Sequence, residues 1–186
     1  AGVDRAALHV GVWLDWIDLR AARLINDKMA EIAAQYPDRI IPLAHVPPLE
    51  TEGQRELRRA VLRLGCKGVG INTHIGGILL DDPRLDPVWA KCAKLGIPVL
   101  IHTGDPRQFW DPMDRYNERW LELKEVPGRK RSPETEPSWE QLMQEHWNVF
   151  RKHPRTTFIS AHLSWLGGDL GRLGRLMDSL PNMNVE

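Results

Sequence analysis

One run of nine residues constrains this chain more than any other: Ile97-Pro98-Val99-Leu100-Ile101-His102-Thr103-Gly104-Asp105. It is apolar throughout, with proline only near its entry and Thr-Gly-Asp at its exit. That pattern suits a short parallel strand covered on both faces better than an alternating surface strand. His102 then stands where the strand stops. In parallel α/β folds chemistry gathers at the carboxyl ends of strands, because the loops there vary over a rigid base. Thr157-Phe158-Ile159-Ser160-Ala161-His162 repeats the pattern, so two strands each finish on histidine.

The rest of the chain alternates in the same way. A strand is expected over 6–13, then a helix over about 19–36 with Ala22, Ile25, Met29, Ile32, Ala33 and Tyr36 at helical spacing, stopped by Pro37. A second strand (39–46) precedes a helix (54–64) that Gly65 can close in the left-handed conformation. A third strand (67–72) leads to a helix opened by Asp86 as N-cap and Pro87, ending at Gly96. Ser138 and Gln141 form a capping box for a helix running to about Lys152. Leu170, Leu173, Leu176, Met177 and Leu180 mark one more helix, and a last strand begins at Asn182.

Six strands alternating with helices call for a parallel sheet with right-handed crossovers. An eight-stranded (β/α)8 TIM barrel lacking a strand at each end accounts for the count, as a partial barrel of about strands two to seven in one domain over 1–186. An open doubly wound sheet competes, without its Gly-x-Gly-x-x-Gly fingerprint. Residues 105–137 break the rhythm. Phe109, Trp110, Tyr116 and Trp120 are costly to leave in water, so an ordered flap over the strand ends is expected.

Lys plus Arg and Asp plus Glu number 25 each, which argues against nucleic acid or anionic membrane as a partner. A small-molecule substrate is the expected partner, and homo-oligomerisation stays open. No stretch is apolar enough to span a bilayer. Cys66 and Cys92 make no metal-knuckle pattern and read as reduced core thiols, which places the chain in the cytoplasm. The opening Ala1-Gly2-Val3-Asp4 and the closing Asn184-Val185-Glu186 read as cuts through a larger protein.

Four histidines, His45, His74, His102 and His162, fall at or just past strand ends. A lone strand-end histidine is usually structural, but four together change the balance. His102 and His162 close the tightest runs, and alternation puts Phe158, Ser160 and His162 on one face. Neutral imidazole suits zinc and similar divalent ions. Arg107, Trp110, Tyr116 and Asn117 in the flap, with Trp165, are the candidate substrate-binding residues.

Asp82-Pro83-Arg84-Leu85-Asp86-Pro87-Val88-Trp89, Gly96 through Gly104, His153-Pro154 and Ser160-Ala161-His162-Leu163 together resemble the amidohydrolase-related family. This is the branch of the amidohydrolase superfamily that includes aminocarboxymuconate-semialdehyde decarboxylase. The resemblance implies a distorted (β/α)8 barrel with one divalent metal, zinc by preference. By it His102 is the metal ligand, and His162 the catalytic residue that activates bound water or polarises the substrate. The family's first-strand His-x-His and eighth-strand aspartate have no counterpart here, and Gly68-Val69-Gly70-Ile71-Asn72 lacks the lysine of many relatives. The expected activity is metal-dependent hydrolysis of a carbonyl-type substrate; a decarboxylase on the same barrel is the alternative, and a non-catalytic binding barrel a second. The 186-residue piece alone is expected to hold metal weakly and to show no turnover.

Overall fold

The computed structural model describes residues 2–11, 16–73, 77–102 and 104–186. Trp13, His74 and Thr103 lie outside them. Among the described residues six parallel strands are hydrogen-bonded in sequence order: β1 (Ala6–Leu8), β2 (Ile40–Ala44), β3 (Gly68–Asn72), β4 (Val99–His102), β5 (Phe158–Ser160) and β6 (Met183–Val185). A doubly wound sheet requires the strand order to reverse at a switch point. The order here never reverses, so the sheet is a half-barrel. Helices α1 (Leu19–Gln35), α2 (Gly53–Leu62), α3 (Asp86–Leu95), α4 (Trp120–Glu125), α5 (Trp139–Lys152) and α6 (Leu170–Ser179) are interspersed with the strands.

Strand alternation divides the residues between two faces. Val69, Ile71, Val99, Ile101 and Phe158 join the helices in one core with Leu57, Trp89, Met143 and Phe150. Phe158 stacks on Phe150 at 4.5 Å and meets Trp89 edge-on at 6.0 Å. Each such fully buried ring contributes about 2–3 kcal/mol. The opposite face of β4, Leu100 and His102, is only half-buried. The expectation of a strand covered on both faces is therefore corrected: helices cover one side, and the inner side of the arc stays accessible.

Local chemistry sets the element ends. Ser138 and Gln141 form the capping box of α5, and Gly96 adopts φ 65° behind α3. Asp86 does not cap α3. A 3-10 turn over Pro83–Leu85, capped by the Asp82 side chain at Arg84 N, runs straight into the helix. The Asp86 carboxylate instead takes Lys152 at 2.6 Å and His153 at 3.0 Å, tying α3 to the end of α5. At β2, Asn26 of α1 substitutes for a strand neighbour. Its Oδ1 accepts from His45 N at 2.8 Å, and its Nδ2 donates to His45 O at 2.9 Å and to Glu56 at 2.8 Å. Burial pushes the Glu56 carboxyl up, but Arg59 and Asn26 more than offset it and hold the group below the usual carboxylate range.

Residues 105–137 make specific contacts of their own. Phe109 and Leu123 are buried, Trp110 Nε1 donates to Pro137 O at 3.1 Å, and Arg131 N donates to Phe109 O at 2.9 Å. Cys66 and Cys92 are buried free thiols, pushed up to about 11 and about 12 by burial. Among the described residues no helix is long and apolar enough to cross a membrane.

Candidate active site

His102 is the last residue of β4, and β5 runs beside it, with Ala161 N donating to Ile101 O at 2.9 Å. The chain then makes an unusual move. His162, Leu163, Ser164 and Trp165 have φ of 57°, 52°, 55° and 55°, one turn of left-handed backbone without a glycine. L-residues lose roughly 1–2 kcal/mol each in that conformation. The turn is held by Leu163 N to Glu186 O at 2.9 Å, Ser164 N to Ala161 O at 3.0 Å and Leu166 N to Leu163 O at 3.0 Å, with Ser164 buried. Strain over-determined in this way is common where function fixes a side chain.

The turn brings His162 back onto His102. His162 Nε2 lies 2.9 Å from His102 Nδ1, with the rings edge-on at 4.9 Å. Trp165 packs against both, 4.6 Å from the His162 ring and 6.0 Å from that of His102. Burial, and next the neighbouring His162, lower the His102 pKa, while Asp105 opposes them. His102 is thus a neutral imidazole at pH 7.

Ser160 does not lie beneath His162, as strict alternation had it. It is fully buried on the helix side with Phe158, its Oγ 3.5 Å from His146 Nε2 of α5. Alternation ends with the strand, and the left-handed turn resets the direction of His162. Burial depresses the His146 pKa to about 3.

A cleft of about 340 Å³ opens beside the pair, lined by His102, Trp165 and the flap residues Asp105, Pro106, Phe109, Arg119, Glu122, Arg129 and Arg131. Asp105 Oδ2 accepts from Arg131 Nη2 at 2.6 Å and Nε at 2.9 Å, fixing the strand exit to the flap. Glu122 takes Arg119 at 3.0 Å and also pairs with Arg129.

Of the residues picked from sequence, His102, His162 and Trp165 come together. Arg107 is not in the lining of this cleft; it lines a second one of about 260 Å³, which also includes Trp165, and pairs with Asp111. Trp110 anchors the flap's end. Asn117 Nδ2 donates to three flap carbonyls, those of Gln108, Asp111 and Pro112, and its Oδ1 accepts from Arg119 N. Tyr116 is 76% exposed and bonded to Arg115. Arg129 and Arg131 are the cleft arginines that sequence reasoning missed; Arg131 pairs with Asp105 across 26 positions, which leaves no local pattern. His45, tethered to Val10, is a structural neighbour of the site. Among the described residues no three His, Cys, Asp or Glu side chains converge as a metal set. His102 fits one ligand position by its neutrality and its place, and the set is not completed by these residues.

A family model described as Amidohydrolase matches residues 1–186. The 2-amino-3-carboxymuconate-6-semialdehyde decarboxylase of Dictyostelium discoideum is 38% identical over 117 residues, 60% of this chain and 30% of that protein. The gamma-resorcylate decarboxylase of Rhodococcus jostii is 36% identical over 95 residues, 46% of this chain and 29% of that protein. The chain thus spans under a third of the length of these curated relatives in the matched region. The 5-carboxyvanillate decarboxylase of Novosphingobium aromaticivorans, solved with manganese and 4-hydroxy-3-methoxy-5-nitrobenzoic acid, superposes with a TM-score of 0.63 at 27% identity, covering 96% of this chain and 51% of that one. These relatives correct the expectation of a hydrolase: they cleave carbon–carbon bonds, and a barrel with strand-end histidines does not by itself distinguish the two chemistries. The family model, covering the whole chain, and the half-barrel with its paired histidines agree: the chain belongs to the amidohydrolase family.

Proposed function

We propose that the protein built on this chain is a metal-dependent decarboxylase that releases CO2 from a planar, conjugated carboxylic acid. The choice of reaction rests on the decarboxylase relatives, and the 2.9 Å contact between His102 Nδ1 and His162 Nε2 at the mouth of the half-barrel supports placing the chemistry there. His102 would hold a divalent ion, zinc by the borderline character of imidazole; the 5-carboxyvanillate relative holds manganese. A hydrogen bond to the other nitrogen of a metal-binding ring fixes that ring's orientation. Such an ion would supply positive charge to a substrate oxygen.

The chain's own residues then account for binding and proton transfer. Three guanidiniums (Arg119, Arg129, Arg131) against two carboxylates (Asp105, Glu122) line the cleft, a balance that admits an anionic acid. Trp165 supplies an aromatic wall beside both histidines, edge-on to His102 at 75° and tilted by 38° to His162. Decarboxylation breaks the bond from the ring or alkene carbon to the carboxylate. CO2 departs, and the electron pair left on carbon takes one proton, so RCO2⁻ and H⁺ give RH and CO2. His162 carries that proton, and the His102 ring bonded to it keeps the imidazole aimed at the site.

The test is to load the full-length protein with Zn²⁺ or Mn²⁺ and follow CO2 release from hydroxybenzoates and conjugated dienoic acids, alongside esters and lactones, in D2O. The expected result is CO2 with one deuterium at the vacated carbon. Ester or lactone hydrolysis without CO2 would refute the reading.

A further inference from the structure

On the inner face of the arc a second pair of histidines is built into the sheet. His9, one residue past β1, lays its ring across β3 at Gly70: a Cβ at Gly70 would stand 2.8 Å from His9 Cβ and 2.9 Å from its Cγ. Only glycine leaves room there. The ring is also stacked on His45 at 5.9 Å, with 17° between the planes. His45 is buried, and its Nε2 meets Val10 N at 3.0 Å and Val10 O at 2.8 Å, accepting from the first or donating to the second according to tautomer. The next step of the chain is equally close, since a Cβ on Gly11 would lie 3.3 Å from Asn72 Nδ2. The segment after β1 is thus pressed onto the inner face of β3.

That face is the one that carries His102. Gly70 pairs in register with Leu100 and Asn72 with His102, so all four side-chain directions lie on one side. Neighbouring strands are about 4.8 Å apart, which sets the His9 ring one strand from the reaction centre, on the inner face of β3. Asn72 Oδ1, between them, is buried with no hydrogen-bond partner among the described residues. Burial lowers the pKa of His9, which makes it a neutral donor or acceptor. Nothing in the proton transfer described above uses it.

We propose that His9, seated on Gly70 and braced by His45, is a specificity-determining residue that reads a polar substituent next to the scissile carboxylate, a ring hydroxyl or amino group. This rests on the decarboxylase reading for the class of substrate. The geometry explains why a large ring and a glycine face one another: the sheet is hollowed at Gly70 so that an imidazole can lie on the inner face of β3.

The test is calorimetric binding of 2-hydroxybenzoate and of benzoate to the metal-loaded full-length protein. The wild type is expected to prefer 2-hydroxybenzoate by about tenfold, the worth of one good hydrogen bond. His9→Ala should bring the two affinities within about twofold of each other, and His9→Gln should restore most of the difference. Gly70→Ala should lose the preference as well, by pushing the ring aside. Thermal midpoints within a few degrees of wild type for His9→Ala and His9→Gln would separate this from a folding defect. An unchanged preference in His9→Ala, or no binding or no preference in the wild type, would overturn the proposal. A preference that follows His9 in a protein that releases no CO2 from any acid would instead sink the decarboxylase reading and leave the subsite standing.

Discussion

Two pairs of histidines sit at the carboxyl ends of this sheet, and they are held in opposite ways. His9 and His45 lie nearly parallel, with His45 tied to the backbone at Val10 and its own backbone clasped by Asn26. His102 and His162 meet edge-on, nitrogen to nitrogen, and open onto a cleft. In the first pair the protein supplies the partner of His45. In the second, each ring's partner is the nitrogen of another imidazole, beside a cleft. Residue type at a strand end therefore says less than the partner of its second nitrogen.

The largest effect should come from breaking the second pair. His162→Gln is expected to lower kcat by 10²- to 10⁴-fold, the usual worth of a positioned acid or base, with metal content and thermal midpoint close to wild type. His45→Gln should show the reverse signature, a loss of about 1–2 kcal/mol in stability with at most a few-fold change in kcat. Steady-state kinetics, metal analysis and denaturant melts on both variants decide it. Equal losses of kcat would mean that the two pairs do not differ in role.

The fastening of the first pair can be broken from behind. Asn26→Ala removes three hydrogen bonds at once, to His45 N, His45 O and Glu56 Oε1. It leaves a buried carboxylate short of one partner. About 3 kcal/mol of stability should be lost, with amide exchange fastest around β2; a loss under 1 kcal/mol would show that Asn26 is not what ends this strand.

These contrasts also explain what could be read from sequence. The alternation of strand and helix was legible because apolar spacing, Gly96 and the Ser138–Gln141 box are local signals. His102 and His162 were legible because each closes an apolar run. The left-handed turn over 162–165 was not, since glycines arrive only at Gly167 and Gly168, after it. Nor were Asn26, whose partners are 19 and 30 positions away, or the pairing of Arg131 with Asp105 across 26 positions. Arg107 and Tyr116 were chosen as polar and aromatic residues of the flap, yet Arg107 lines the neighbouring cleft and Tyr116 is exposed.

A pH experiment sharpens the role of the histidine behind the second pair. His146 titrates at about 3 in the folded chain because it is wholly buried, against about 6.5 when exposed. Between these values the unfolded state binds the extra proton, so stability is complete above about pH 6.5 and falls as pH drops toward 3. At pH 4.5 the loss should be about 2–3 kcal/mol relative to pH 7. His146→Gln, which cannot take up that proton, should lose correspondingly less over the same interval in denaturant melts. Parallel pH profiles for the two proteins would place the acid sensitivity elsewhere.

The smallest predicted effect tests how far the site extends into the flap. Tyr116 is 76% exposed, and its hydroxyl is engaged by Arg115 rather than by anything in the cleft. Trp165 instead lies against both reactive rings. An exposed side chain without buried partners contributes within about 0.5 kcal/mol, so Tyr116→Ala should leave stability, KM and kcat within about twofold of wild type. Trp165→Ala, at the shared wall of both clefts, should raise KM by tenfold or more. If Tyr116→Ala raised KM as much, the flap would have to fold down over His102 when substrate binds, bringing the tyrosine to the site from a position it does not occupy in the free chain.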